Sequence, residues 1–591
     1  MKAKYIILIS FATLMCIHAC QDDWLEPKPL SIYVPENVFV NEDGMEAILL
    51  VLRRGLRDEF YGNASMLCQE ISASDIAHKN GEQAIEIHDF NTQFTPTSGG
   101  RDADQYHRYW THAYNMIRDV NVLLNRVDGI ESSTEKKNEF IAEGYFHRAY
   151  WYYRLVHYWG DVPFINIEHQ APRVDFNSHS RNTILDKIQE DLEFSVQWLP
   201  ISVAPGKVNR AAAQHLLTKI YLSNHEYKKA ISSASDVIDG GQYSLMTDRF
   251  GSEAGDDRFN VVWDLHRVEN KSISANTEGI LVVQDRFGFP GAQSPGTNTM
   301  RNLVPFWAHG SYIMDPDGSP GMLSRPFDPQ IWAWGRGVGY TRGSNYHQYY
   351  IWQNYGDDLR RCADTNWMTV EKMRYNNPAS NYFGEFVQPE YTAPYDTGRA
   401  LYDWPHYKLH VPNEPTVGNW AGGHGDWYVF RLAETYLLRA EAYYWDGDFE
   451  NAANDINQVR ERALATPINA SDVTMDYILD ERARELYYEE PRNAELTRIS
   501  FMKAETGRRG YSMDNFHESS YWFDRIEELH GFYNTGFQYG PNISRISAYH
   551  VLWPVRQSFI DANTGGRINQ NRGYPGYENN IPPLTEITDE Q

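Results

Sequence analysis

The chain is short of cysteine, short of positive charge and, beyond its first residues, without any long apolar run, and each shortage closes off a class of protein. Four cysteines in 591 residues are too few for a disulfide framework. Cys16 and Cys20 fall at the extreme N-terminus, which leaves Cys68 and Cys362, either paired in an oxidising compartment or held as two buried thiols. Lys and Arg number 54 against 79 Asp and Glu, a formal net charge of -25. Nucleic acid and anionic lipid both require a basic face, so neither is expected as a partner. No segment of the body offers about eighteen consecutive apolar residues, the length a spanning helix needs. Chemical motifs are missing as well: there is no Ser-centred nucleophile elbow, no P-loop and no zinc-type cysteine pair. The acidic pairs Asp256-Asp257, Asp357-Asp358 and Glu489-Glu490 arise freely in so acidic a chain, and neighbouring carboxylates do not face one glycosidic bond. His406 and His410 lie four apart, but Pro405 and Pro412 bracket them and no third ligand clusters nearby, which reads as a loop pair. No catalytic residue, metal or cofactor is expected.

What is present begins with Lys2 and Lys4, an apolar run from Tyr5 to Ile17, and Ala19 before Cys20, the layout of a secretory leader. Leu14 to Cys20 resembles the lipobox of bacterial lipoproteins, with His18 where a small residue usually stands. Residues 1–19 are expected to be removed, and the thiol of Cys20 is the expected site of lipid attachment; several acyl chains would make that anchor permanent. Aromatics are abundant, with 17 Trp, 40 Tyr and 26 Phe, 14% of the chain.

Helical spacing is plain in the first part. Two helical patterns between Glu46 and Val127 flank a polar stretch, the second carrying Tyr109, Ala113, Ile117, Val120 and Leu124 on one face. A third runs from Glu139 to Tyr158 and stops at Gly160-Asp161 with Pro163 beyond; a fourth runs from Asn182 to Trp198 and halts at Pro200. A turn then recurs: Leu222 to Tyr227 with Ala230 three further on, and Tyr444 to Phe449 with Ala452 three further on. Gly447 or Asn224 would take the left-handed conformation that ends the first helix, the aromatic fills the corner, and alanine lets the second helix approach. Two copies with matching flanks imply a tetratricopeptide-like array. Between about Gly240 and Gly425 the helical period fades and Gly, Pro, Trp and Tyr crowd together; so aromatic a loop region is expected to be a working surface.

Taken together these segments resemble the SusD-like (RagB/SusD) family of outer-membrane nutrient-binding lipoproteins. The resemblance rests on Gln21-Asp22-Asp23-Trp24-Leu25 after the lipobox, on the helix from Glu143 ending in Tyr158-Trp159-Gly160-Asp161-Val162-Pro163, and on Gly206 to Ala213. It rests further on Phe430 to Leu437, Asn454 to Arg462, Glu481-Arg482-Ala483-Arg484-Glu485, Leu552-Trp553-Pro554-Val555 and Asn571-Arg572-Gly573-Tyr574. It implies a mainly α fold, a scaffold of tetratricopeptide-like helix pairs with a large loop-rich region containing short strands. It implies an N-terminal SusD-like domain over residues 20–240 and a C-terminal RagB/SusD domain over 241–591, with ligand loops at 241–425 and helical repeats at 426–505. It implies a lipid-anchored place on the outer membrane, a glycan ligand and a SusC-like TonB-dependent transporter as partner. Peptide capture by a member of the same family, or a surface glycoside hydrolase, are the other readings.

A sugar offers an apolar C–H face and a rim of hydroxyls, so its site needs exposed aromatic planes beside amides, carboxylates and guanidinium forks. Trp307, Trp332, Trp334, Tyr340, Trp352 and Trp367 are the candidate platforms, with Arg336 foremost among polar neighbours that include Asn302, Arg342, Asn345 and Asp364. The resemblance adds the segment between the first long helices, with Asp75, His78, Asn80, Asp89 and Asn91; Asp75 and Asn91 are the candidates there.

Overall fold

The structure, a computed structural model, describes residues 39–79, 89–99, 103–293, 296–309, 312–362, 364–392, 398–414, 421–539 and 542–588. The expected leader, Cys20 and Asn80 lie outside these residues, as does the side chain of Cys362 and with it the question of its pairing. Cys68 is buried, its Sγ 3.1 Å from Thr341 Oγ1.

The longer helices are α1 (Glu42–Phe60), α2 (Ala103–Arg126), α3 (Thr134–Trp159), α4 (Arg181–Trp198), α5 (Arg210–Ser223), α6 (Tyr227–Ile238), α7 (Leu432–Asp446), α8 (Phe449–Arg462), α9 (Met475–Leu486), α10 (Arg492–Glu505) and α11 (Tyr521–Leu529). From α2 to α8 each helix packs on the next, so α6 meets α7 although about two hundred residues separate them in sequence. The fold is mainly α, and none of the described helices is long and apolar enough to cross a membrane.

Local chemistry sets the ends. Asn41, Ser133, Ser180 and Asn209 each accept a backbone N–H two or three residues into α1, α3, α4 and α5, satisfying donors the first turn leaves over. At the α7–α8 joint Gly447 takes the left-handed conformation (φ 89°, ψ 10°). At the matching α5–α6 joint the left-handed residue is His225 (φ 59°), not the expected Asn224, whose N–H still closes the helix on Ile220 O at 2.9 Å. The imidazole of His225 is held between Tyr227 OH and Glu505, both at 3.0 Å. Of the two corner aromatics, Tyr227 stacks on Trp445 with centroids 6.0 Å apart, whereas Phe449 stays 42% exposed, edge-on to Tyr444 at 5.8 Å.

α3 is buried on nearly every side because α2, α4 and α10 surround it. Its end gathers motifs that lie far apart in sequence. Trp553 stacks on Tyr158 with centroids 4.2 Å apart, Trp159 Nε1 donates to Pro554 O at 3.0 Å, and Asn571 Nδ2 donates to the carbonyls of both Trp159 and Trp553. Asp161 Oδ1 accepts from Arg181 N at 2.9 Å and so opens α4.

A second framework is ionic. α9 turns Glu481, Arg482 and Glu485 inward rather than to water. Glu481 meets Arg360, Arg460 and Arg484; Glu485 meets Arg360, Arg431 and Arg462; Arg482 meets Glu490 at 2.7 Å and Glu495 at 2.9 Å. Glu489 and Glu490 are thus consumed as buried ion-pair partners, Glu489 of Arg431 and Lys408, Glu490 of Arg482 and Arg492.

Short strands stitch the loop-rich region to this frame. β1 (Ala77–Lys79) pairs antiparallel with β3 (Thr341–Gly343), His78 opposite Arg342. β2 (Gly279–Val283) pairs antiparallel with β4 (Trp427–Arg431), Leu281 opposite Phe430, with a register shift on either side of Leu281. A third pair joins β5 (Gln538–Tyr539) to β6 (Asn542–Ile543).

Candidate functional site

Most of the aromatics expected as platforms are core. Trp307 is fully buried and its indole N–H donates to Gly335 O at 2.9 Å. Trp352 and Trp367 are buried edge to face, centroids 5.4 Å apart, with the Arg361 guanidinium 4.3 Å above Trp367. Tyr340 is buried beneath Arg301. The physical reason is common to all four: loops without helix pairs have no other source of core, so their own rings supply it.

The polar candidates near the N-terminus are likewise structural. Asp75 is fully buried, gripped by Arg492 at 2.7 and 2.8 Å and by Arg525 at 2.7 Å. Burial alone would raise its carboxyl, but the two guanidinia outweigh that and hold it well below the usual range. Asn91 is half-buried, and its Oδ1 accepts from the hydroxyls of Ser547 (2.5 Å) and Tyr549 (3.2 Å). Asp89 caps the short helix Phe90–Gln93, and His78 is buried against Phe532. Asn302 clamps the Gly62–Ala64 turn with two 3.0 Å hydrogen bonds. Arg342 is buried and donates to Gln348 at 2.9 Å, Asn345 bonds the carbonyl of Gly531, and Asp364 is exposed beside Lys372. His406 lies in a single helical turn, His406–Leu409, rather than a loop; its ring is 4.6 Å from that of His410, and burial pushes its pKa down to about 3. Among the described residues no group of three or more His, Cys, Asp and Glu could hold a metal.

Trp332, Trp334 and Arg336 remain, at alternate positions, the two rings on one short helix and Arg336 just past its end. Asp328 caps the helix Pro329–Trp334 by accepting from Gln330 N, Pro329 pre-sets its first turn, and Gly335 (φ 80°) ends it. Ile331 turns inward, Trp332 is 39% exposed, and Trp334 is half-buried, edge-on to His406 at 5.2 Å. Just before the helix Phe327 stands 63% exposed at φ 60°, a left-handed conformation that costs a bulky residue on the order of 1–3 kcal/mol. The Gln330 side chain bonds both backbone groups of Arg374, at 2.7 and 2.8 Å, and the Arg374 guanidinium lies 3.9 Å from the ring of Phe386, itself 53% exposed. Exposed rings therefore sit on neighbouring, mutually braced segments.

Beyond Gly335 the chain runs against residues 301–304: Val338 N donates to Arg301 O at 2.9 Å and Gly339 N to Val304 O at 3.0 Å. The approach requires Gly337, where a Cβ would come within 1.8 Å of Val304 O. This brings Arg336 to 5.2 Å from the ring of Phe306, with Arg399 at 4.6 Å from the same ring, and Arg301 to 5.9 Å from Tyr340. Arg301 Nε donates to Asn63 at 3.1 Å, so the turn after α1 also contributes. Burial and the charges of Arg301 and Arg399 lower the pKa of Arg336. Phe327, Phe386, Arg301, Arg399 and Asn63 are not among the residues expected from sequence. Only Phe327 carried a local signal, its place between Pro326 and Pro329.

A cleft of about 450 Å3 lies elsewhere, where α3 and the C-terminal segment meet, lined by Asp161, Arg181, Phe501 and Asn571 among others. Arg181 is paired there with Glu505, and Asn571 with the carbonyls of Trp159 and Trp553, so the cleft lies at the joint of these segments.

Comparison with known proteins bears on this architecture. Residues 283–577 match the model of the SusD family, and residues 23–222 match a second model described as starch-binding associating with outer membrane. SusD-like protein P25 of Formosa agariphila is 24% identical over 587 residues, which cover 95% of this chain and 97% of that protein. SusD-like protein P2 of the same organism is 26% identical over 245 residues, 40% of this chain, and the match spans about half of that protein (46%). A solved laminarin binding SusD-like protein shares the fold, with a TM-score of 0.58 at 19% identity over 90% of this chain and 100% of its own. With family models matching in both halves of the sequence and a relative aligned almost end to end, the chain belongs to the SusD family.

Proposed function

We propose that this protein is a cell-surface glycan-binding lipoprotein, anchored in the outer membrane through Cys20, that captures an oligo- or polysaccharide and passes it to a SusC-like TonB-dependent transporter without cleaving it. The observation that carries the reading is the exposed aromatic group of Phe327, Trp332 and Phe386, braced by Gln330 and Arg374 and continuous with Arg336. Exposed rings on a rigid, strained element are unusual for a soluble body, and they suit the apolar face of a pyranose, while the guanidinium forks suit its hydroxyl rim. Family membership and the likeness to a laminarin binding SusD-like protein support a saccharide ligand. Trp334, half-buried beside Trp332, would form the inner edge of the platform.

The test is migration of the purified mature protein through gels containing a panel of glycans, followed by calorimetry on whichever retards it. Trp332→Ala is expected to weaken binding about five- to tenfold, the worth of one aromatic platform, with its thermal melt unchanged. Release of reducing ends from any bound glycan would overturn the reading of capture without cleavage.

A further inference from the structure

Many arginines in this protein are matched to a carboxylate, though not all: the buried Arg267 donates to the carbonyls of Tyr407 and His410. Arg148 is paired with Asp191, Arg154 with Glu59, and Arg498 with Glu441 and Glu495. Arg301 and Arg336 lie close together and among the described residues neither reaches a carboxylate, in a chain with 79 acidic side chains to 54 basic ones. Both are half-buried. Burial, and then the neighbouring charges of Arg301 and Arg399, press against the cationic form of Arg336, opposed only by Tyr340. Its Nε is buried without an acceptor. Gathering guanidinia at a partly desolvated place is unfavourable unless an anion completes it.

Resting on the reading of this surface as a glycan platform, we infer that the glycan is acidic, its carboxylate or sulfate group seated between the guanidinia of Arg301 and Arg336 while a sugar ring lies on Trp332. A guanidinium offers parallel N–H donors that match two oxygens of such a group, and neutral hydroxyls would leave the charge uncompensated. The chain's negative total charge adds to this: a polyanion is repelled at long range, so its capture needs a local cationic seat of this kind.

Calorimetry on the mature protein with four probes tests the inference: a neutral β-glucan oligosaccharide, an oligogalacturonate, a sulfated galactan oligosaccharide and polyglutamate. One of the two acidic saccharides is expected to bind at least about tenfold more tightly than the neutral one, and which of the two it is identifies carboxylate or sulfate. Arg336→Gln and Arg301→Gln are each expected to weaken that binding about ten- to a hundredfold, with Arg336→Lys recovering part of the loss. The wild-type preference needs no variant and stands even where a substitution unfolds the protein. Equal or tighter binding of the neutral probe overturns the acidic inference and leaves the platform reading intact. Binding of no saccharide at all overturns both, and so does binding of polyglutamate alone. Acidic binding that both glutamine variants retain, in folded protein, overturns the seat assigned to Arg301 and Arg336.

Discussion

Trp332 and Trp367 are the same residue type in the same loop-rich region, yet one shows 39% of its surface and the other 3%. Nothing in their immediate sequence separates them, because an irregular segment has no period from which to read inside and outside. Asp75 is the same lesson in a charged residue: it lies in a loop, but its partners Arg492 and Arg525 stand 417 and 450 positions away, beyond any local pattern. Of the candidate site, then, the stretch Trp332 to Arg336 was legible, while its partners Arg301 and Arg399 were not, since only the folded chain brings them to Phe306. Gly337 is the residue on which that meeting depends. Gly337→Ala is expected to destabilise the protein by about 1–3 kcal/mol through overpacking against Val304 and to weaken glycan binding by displacing Arg336. Urea denaturation and calorimetry on the same variant check the two effects.

At the scale of elements the sequence was more informative, because helices advertise both their faces and their ends. The pattern from Asn182 to Trp198 became a helix starting one residue earlier, and Pro200 stopped it as expected. The helix expected from Glu139 starts instead at Thr134: its first turn, Thr134 to Lys137, is polar and shows no apolar spacing, and it is fixed by Ser133 accepting from Lys136 N. The repeated joint was visible as a motif, but which residue turns left-handed depends on register, and His225 aligns with Gly447 where Asn224 aligns with Asp446. Gly447→Ala is therefore expected to cost about 1–2 kcal/mol, the penalty of placing a Cβ in that conformation, read as a lower melting temperature with glycan binding preserved.

The molecule as a whole carries a network of buried charge beside its apolar core, and this makes it sensitive to acid. Burial would raise the carboxyl of Glu481, but Arg360, Arg484 and Arg460 overcome it and hold the group at about 2. Burial also pushes His347, His406 and His550 down to about 3 and His530 to about 4. In every case the unfolded chain takes up protons at a higher pH than the folded one, at about 6.5 for histidine and about 4.3 for glutamate. Stability from these groups is complete above about pH 7. It declines as pH falls below 6.5, while only unfolded histidines protonate, and falls further between about 4.5 and 2 as the glutamates follow. Thermal melts across this range should show a monotonic decrease; a flat profile down to pH 4 would contradict the buried, neutral state of the histidines.

Trp553 on Tyr158 has a consequence in time. A chain emerging from its N-terminus must be almost wholly synthesised before the ring that covers the end of α3 exists, and Asp75 waits as long for Arg525. Contacts of such separation carry a large loop-closure cost and form late. The N-terminal half alone keeps pairs such as Arg148 with Asp191 but lacks the ring that covers the end of α3 and the guanidinia that grip Asp75, so these contacts close only when the last hundred residues arrive.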